Sequence, residues 1–99
     1  MMTVIKFSTS SCVPCTLLKP LFDSLKEEYS EVDFVEVEID TTEFDGDLDL
    51  VKKHNIRSVP VMLFLDTDGS VVGRESGVNL SGKKYRRVLD SHTSNAQKE

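Results

Sequence analysis

Two cysteines stand three positions apart, at Cys12 and Cys15, where a β-rich run gives way to an amphipathic helix. Thr3 to Phe7 carries the strand pattern, and Ser8-Thr9-Ser10-Ser11 interrupts it with hydroxyl residues suited to helix capping. From Val13 to Tyr29 the apolar positions Leu18, Leu21, Phe22, Leu25 and Tyr29 recur at three- and four-residue spacing, which predicts a helix with one apolar face. A cystine across so short a loop adds little stability, because the stabilisation grows with the length of unfolded chain that the bond closes. A chain of 99 residues is long enough to fold without a disulfide scaffold, and two cysteines are too few to build one. The pair is placed for chemistry.

A thiolate at a helix N-terminus meets unpaired backbone N–H groups and the positive end of the helix dipole, and both lower its pKa. Cys12, at the helix start, is therefore the expected reactive sulfur. Cys15 lies one turn in, more buried, within reach of a mixed disulfide formed at Cys12, so the two can reduce a disulfide by successive displacements. The same spacing recurs as half of a zinc site, but structural zinc takes four ligands and the other candidates, His54 and His92, are far apart in the chain. A third reading makes both cysteines small core residues. No metal or cofactor is expected.

Pro14 is tolerated in the first helical turn, whereas Pro20 falls inside the periodic stretch and should kink it. Phe34 to Ile39 alternates, with Val35, Val37 and Ile39 on one face of a strand. Asp40 to Asp49 reads as an acidic, solvated loop leading to a short helix over Leu48 to His54; its Glu43, Asp45, Asp47 and Asp49 match no EF-hand. Val61 to Leu65 is continuously apolar, as in a strand covered on both faces, and Asp66-Thr67-Asp68-Gly69 turns it into a hairpin with Ser70 to Glu75. Lys83 to His92 gives a last helix. The order strand, helix, strand, helix, strand, strand, helix predicts an α/β fold: a mixed four-stranded sheet with helices on both faces, its opening pair parallel. Residues 1–93 are read as one domain and 94–99 as a polar tail.

The net charge is 12 − 17 = −5 and no basic cluster occurs, which argues against nucleic acid as a partner. No apolar run approaches the roughly 18 residues of a membrane span. The N-terminus lacks the features of a signal peptide, so a cytoplasmic chain starting near Met1 is expected.

The chain resembles the thioredoxin family over nearly its whole length, and four features carry the resemblance together. A strand ends before Cys12-Val13-Pro14-Cys15; Pro20 follows at the family's spacing; Ser58-Val59-Pro60 opens the apolar strand; and Gly77 stands before the last helix. The resemblance implies a minimal thioredoxin-like fold lacking the family's usual first strand and helix. It also implies a protein-disulfide oxidoreductase with protein disulfides as substrates, a thioredoxin-reductase-type electron donor and a monomeric state. Pro60 should be cis and pack beside the Cys12 sulfur, with the backbone of Val59 free to pair with an extended substrate. Val13, Pro14, Val59, Pro60, Gly77 and Val78 should form a shallow apolar groove, with simple core packing the lesser alternative for Val59 and Val78.

The sequence departs from the family in four ways. Besides the missing first elements, Ser11 replaces the usual Trp and could cap the helix or donate to the Cys12 thiolate. Val13 replaces the usual Gly. The family's buried Asp and its neighbouring Lys align with Lys6 and Glu36, so the signs are exchanged across two strands. We expect Lys6 and Glu36 to form a semi-buried ion pair beneath the cysteines, favouring the thiolate; the bland alternative is a Lys6 that snorkels to water. Glutaredoxins share the fold but carry a basic residue before the first Cys and a double Gly before the last helix. Here those places read Thr9-Ser10-Ser11 and Ser76-Gly77-Val78-Asn79. A glutathione-dependent reductase and a binding module with little catalysis are the competing readings.

Overall fold

A computed structural model describes residues 1–93, so the tail expected over 94–99 lies outside the described residues. Four strands form one sheet: β1 (Thr3–Ser8), β2 (Asp33–Glu38), β3 (Val61–Leu65) and β4 (Val71–Ser76), in the spatial order β2-β1-β3-β4. β1 and β2 pair in parallel, joined through helix α1 (Val13–Glu28), and β3 runs antiparallel to both β1 and β4. Helices α2 (Asp45–Lys53) and α3 (Lys83–His92) complete the chain.

Alternation along the strands divides the core in two. Met2 and Val4 of the first strand region, with Met62 and Phe64 of β3, meet Leu18, Phe22 and Leu25 of α1 and Tyr85 and Leu89 of α3. Ile5, Phe7, Val37, Val61 and Leu63 point the other way, toward Leu50 and Val51 of α2 and Ile56. Both central strands are thus covered on both faces, which is why β3 reads as a continuous apolar run. Lys6 has the parity of Met2 and Val4, and so it projects beneath α1.

The expected α2 starts too late. Its first turn is Asp45-Gly46-Asp47, taken from the stretch read as loop, and His54 is its C-cap. Acidic side chains in a first turn interact favourably with the helix dipole, and Lys52 and Lys53 complement it in the last turn. That charge order was the available signal.

α1 and α3 are tied by polar contacts at the rim of the core. The Tyr29 hydroxyl donates to Asp90 at 2.6 Å, and Arg86 pairs with Glu28 at 2.7 Å. Close approach of α3 to β4 depends on Gly73, where a Cβ would stand 3.0 Å from Val88 Cγ1 and 3.3 Å from Phe64 Cδ1. Gly73→Val should therefore cost about 1–3 kcal/mol by overpacking, read as a lower urea midpoint with an unchanged m-value.

Candidate active site

Cys12 is the N-cap of α1, with extended backbone at φ −86° and ψ 105°, and its sulfur accepts the Cys15 N–H at 3.1 Å. The Cys12 carbonyl accepts the Thr16 N–H and the Thr16 hydroxyl, each at 3.2 Å. Pro14 occupies the first turn, where its missing N–H leaves no helical partner unserved. The two cysteines are joined as a disulfide with Cα atoms 5.2 Å apart. Cys12 is half-buried and Cys15 buried, the asymmetry expected of an attacking and a resolving sulfur.

The hydroxyl run before the helix does not cap it, because the Cys12 sulfur takes that role. Ser10 instead donates its N–H at 2.9 Å and its hydroxyl at 2.6 Å to Asp40, just beyond β2. These bonds hold the loop before Cys12 against the end of the neighbouring strand, and the hydroxyl above all keeps the Asp40 carboxyl below its ordinary pKa. A carboxylate favoured in the folded state stabilises it fully above its unfolded pKa, near about 3.9 for Asp, and that contribution disappears as pH falls through the depressed folded value. Ser10→Ala should return the Asp40 carboxyl titration, followed by NMR, toward the ordinary Asp range. Asp40→Asn should flatten the acid limb of stability against pH.

Beneath the cysteines, Lys6 and Glu36 are direct partners in the β1–β2 register. Lys6 is 2% exposed, and its Nζ stands 3.2 Å from Glu36 Oε2 and 4.8 Å from the centre of the Phe22 ring. The expected ion pair is present, and the snorkelling alternative fails because the amine turns inward. Glu36, 43% exposed, also meets Lys19 at 3.4 Å, and Lys19 reaches Asp23 at 3.5 Å. The carboxylates of Glu36 first, and then Asp23, raise the Lys19 pKa. Sequence reasoning missed Lys19. Its signal was the four-residue spacing from Cys15, which places both on one helix face. Cys15, Lys6, Lys19 and Glu36, with Ser8 and Ser10, line a cleft of about 130 Å³. A larger cleft of about 220 Å³, beside Met1, Met2 and Thr93, lies at the other end of β1 and contains no thiol.

The Val59–Pro60 peptide bond is cis, as the resemblance implied, and Pro60 is buried. Gly77, at φ +81°, donates its N–H to the Pro60 carbonyl at 2.9 Å, which fixes the start of the β4–α3 loop beside that proline. Val13 and Val78 are exposed at 69% and 37%. Val59 is half-buried against the second core cluster, so its side chain serves packing. No three His, Cys, Asp or Glu side chains gather as a metal-binding group, and no helix is long and apolar enough to cross a membrane, among the described residues.

The family model described as Thioredoxin matches residues 1–89. The chain is 36% identical over 78 residues to thioredoxins of Pongo abelii and of Homo sapiens, covering 79% of this chain and 69% of theirs. Among solved structures, thioredoxin of Fasciola hepatica superposes with a TM-score of 0.77 at 29% identity, over 93% of this chain and 81% of that one.

Proposed function

The chain belongs to the thioredoxin family and is a thiol–disulfide oxidoreductase, and from that premise we propose that it reduces protein disulfides with Cys12 as nucleophile and Cys15 as resolving thiol. The observation that carries the assignment of roles is the asymmetry at the mouth of α1: a half-buried N-cap sulfur and a buried sulfur one turn in. The Cys12 thiolate attacks one sulfur of the substrate disulfide, forming a mixed disulfide and releasing one substrate thiolate. The Cys15 thiolate then attacks the Cys12 sulfur. The Cys12–Cys15 disulfide forms, the second substrate thiolate leaves, and two electrons have passed to the substrate.

Helix-terminal N–H groups and the dipole favour the thiolate at Cys12, while Lys6, held by Glu36 in the cleft that Cys15 lines, acts as a positioning charge for the second step. Val13, Pro14, Pro60, Gly77 and Val78, with Val59 through its backbone, form the groove that binds the substrate, Pro60 with no N–H to compete for it. The two electrons return from a thioredoxin-reductase-type electron donor. A dithiol that must be regenerated in reduced form suits a reducing compartment, so the chain works in the cytoplasm, as a monomer, in electron transport and redox homeostasis. Residues 1–93 act as a single domain.

Reduction of insulin disulfides by dithiothreitol tests this directly. The protein should accelerate precipitation of the insulin B chain well above the uncatalysed control, and a thioredoxin reductase should recycle it where glutathione does not. A rate equal to the control would leave only a binding module.

A further inference from the structure

We propose that Arg74 is a positioning residue for the substrate: together with Gly77 it clamps the segment from Asn55 to Pro60 onto β4, so that the backbone of Arg57, Ser58 and Val59 is ordered before an extended disulfide-bearing polypeptide pairs with it. This rests on the proposed reduction of protein disulfides and adds the side chain that prepares the surface they bind.

Every peptide N–H and C=O needs a hydrogen-bond partner, in the protein or in water. Among the described residues, no group of the protein bonds to the backbone of Arg57, Ser58 or Val59. Arg57 and Ser58 are exposed and Val59 is half-buried, so water or an incoming chain must serve these groups. A stretch without internal bonds is ordinarily loose, yet both of its ends are fixed. At the first, Ile56 donates its N–H to the Val51 carbonyl at 3.0 Å, and Asn55 takes a left-handed turn at φ +52°. The Arg74 guanidinium donates to the carbonyls of His54 and Asn55, the second at 3.1 Å, and Arg57 Nε donates to Asn55 Oδ1 at 2.9 Å. At the other end, the Gly77 N–H holds the Pro60 carbonyl at 2.9 Å.

β4 supplies both anchors. Arg74 stands opposite Leu63 in the β3–β4 register, and Leu63 belongs to the core cluster that α2 covers, so the Arg74 side chain rises on that face. Gly77 follows three residues later, about 10 Å along an extended chain. No carboxylate lies within ion-pair distance of Arg74 among the described residues. Its planar fork of donors is therefore free to serve two carbonyls at the negative end of the α2 dipole, and hydrogen bonds from a cation are among the stronger ones. A segment ordered in advance loses less conformational entropy when a second chain pairs with it. Arg74 thus acts on substrate binding and leaves the thiols alone.

Single turnovers of the reduced protein, followed against substrate concentration, test the clamp with two substrates: an uncharged peptide disulfide, and a small neutral aromatic disulfide that has no backbone to pair. Arg74→Leu should raise the half-saturating peptide concentration about tenfold, the order expected from one residue that must be ordered anew on binding. The limiting rate, the Cys12/Cys15 potential and the reaction with the aromatic disulfide should stay at their wild-type values. Arg74→Gln, which keeps an amide donor for one carbonyl, should fall between wild type and Arg74→Leu, and it carries the comparison if Arg74→Leu does not fold. An unchanged peptide reaction, or an equal loss with both substrates in a folded variant, would overturn the clamp. A wild type that reduces the aromatic disulfide but no peptide or protein disulfide would instead overturn the proposed function, and the clamp would then have nothing to position.

Discussion

Cys15→Ser should convert a catalyst into a stoichiometric trap, whereas Cys12→Ser should leave only the rate of dithiothreitol acting on the substrate alone. The asymmetry comes from the order of the two displacements. Without the N-cap sulfur no first bond to substrate forms, because the remaining Cys15 is buried behind the first turn of α1. Without Cys15 the first displacement still proceeds, but the mixed disulfide at Cys12 loses its intramolecular attacker. Oriented intramolecular groups act at effective molarities as high as about 10⁵ M or more, which millimolar thiols in solution cannot match. About one mixed disulfide per protein molecule should accumulate, released by excess dithiothreitol and visible by mass spectrometry as protein plus one substrate chain. Trapping by Cys12→Ser instead would reverse the two roles.

Elements set by regular periodicity are legible in the amino-acid sequence. The β-α-β opening, the hairpin at Asp66 to Gly69 and the last helix fall where apolar spacing and turn residues put them, because each strand must present alternate faces to one of the two core clusters. The start of α2 is not legible in the same way, because its first turn has only carboxylates and a glycine, leaving no apolar period to detect. At the site, Cys12 and Cys15 are legible from spacing. The cap is not: a hydroxyl oxygen is the expected acceptor, but the chain commits Ser10 to Asp40 across 30 positions, and no local pattern announces such a contact. Lys19 escapes notice for a related reason. A lysine with Asp23 four residues on along an exposed helix face reads as a solvated surface pair, and only the folded register of Glu36 beside Lys6 links it to the cleft.

Lys6→Met and Glu36→Ala should move the protein in opposite directions, although each breaks the same ion pair. A Met side chain fills the volume beneath α1 with no charge to desolvate, and the Glu36 carboxylate left behind is 43% exposed and keeps Lys19 as a partner, so no buried charge is left unpaired. Glu36→Ala leaves the Lys6 ammonium, 2% exposed, with the Phe22 ring but no carboxylate. The cost should be about 1–2 kcal/mol in urea unfolding, below the figure for a fully buried pair because Glu36 itself is 43% exposed. The thiols should respond with opposite signs too. Removing the cation that shares the cleft with Cys15 disfavours a thiolate there, so Lys6→Met should raise the thiol pKa and make the pair more reducing. Removing the neutralising carboxylate should lower that pKa and make the pair more oxidising. Each tenfold change in the exchange equilibrium with glutathione corresponds to about 30 mV in this two-electron couple, and shifts of that order are expected. A structural role alone would change stability and leave both potentials where they were, so unchanged potentials in the two variants would take Lys6 and Glu36 out of the redox mechanism.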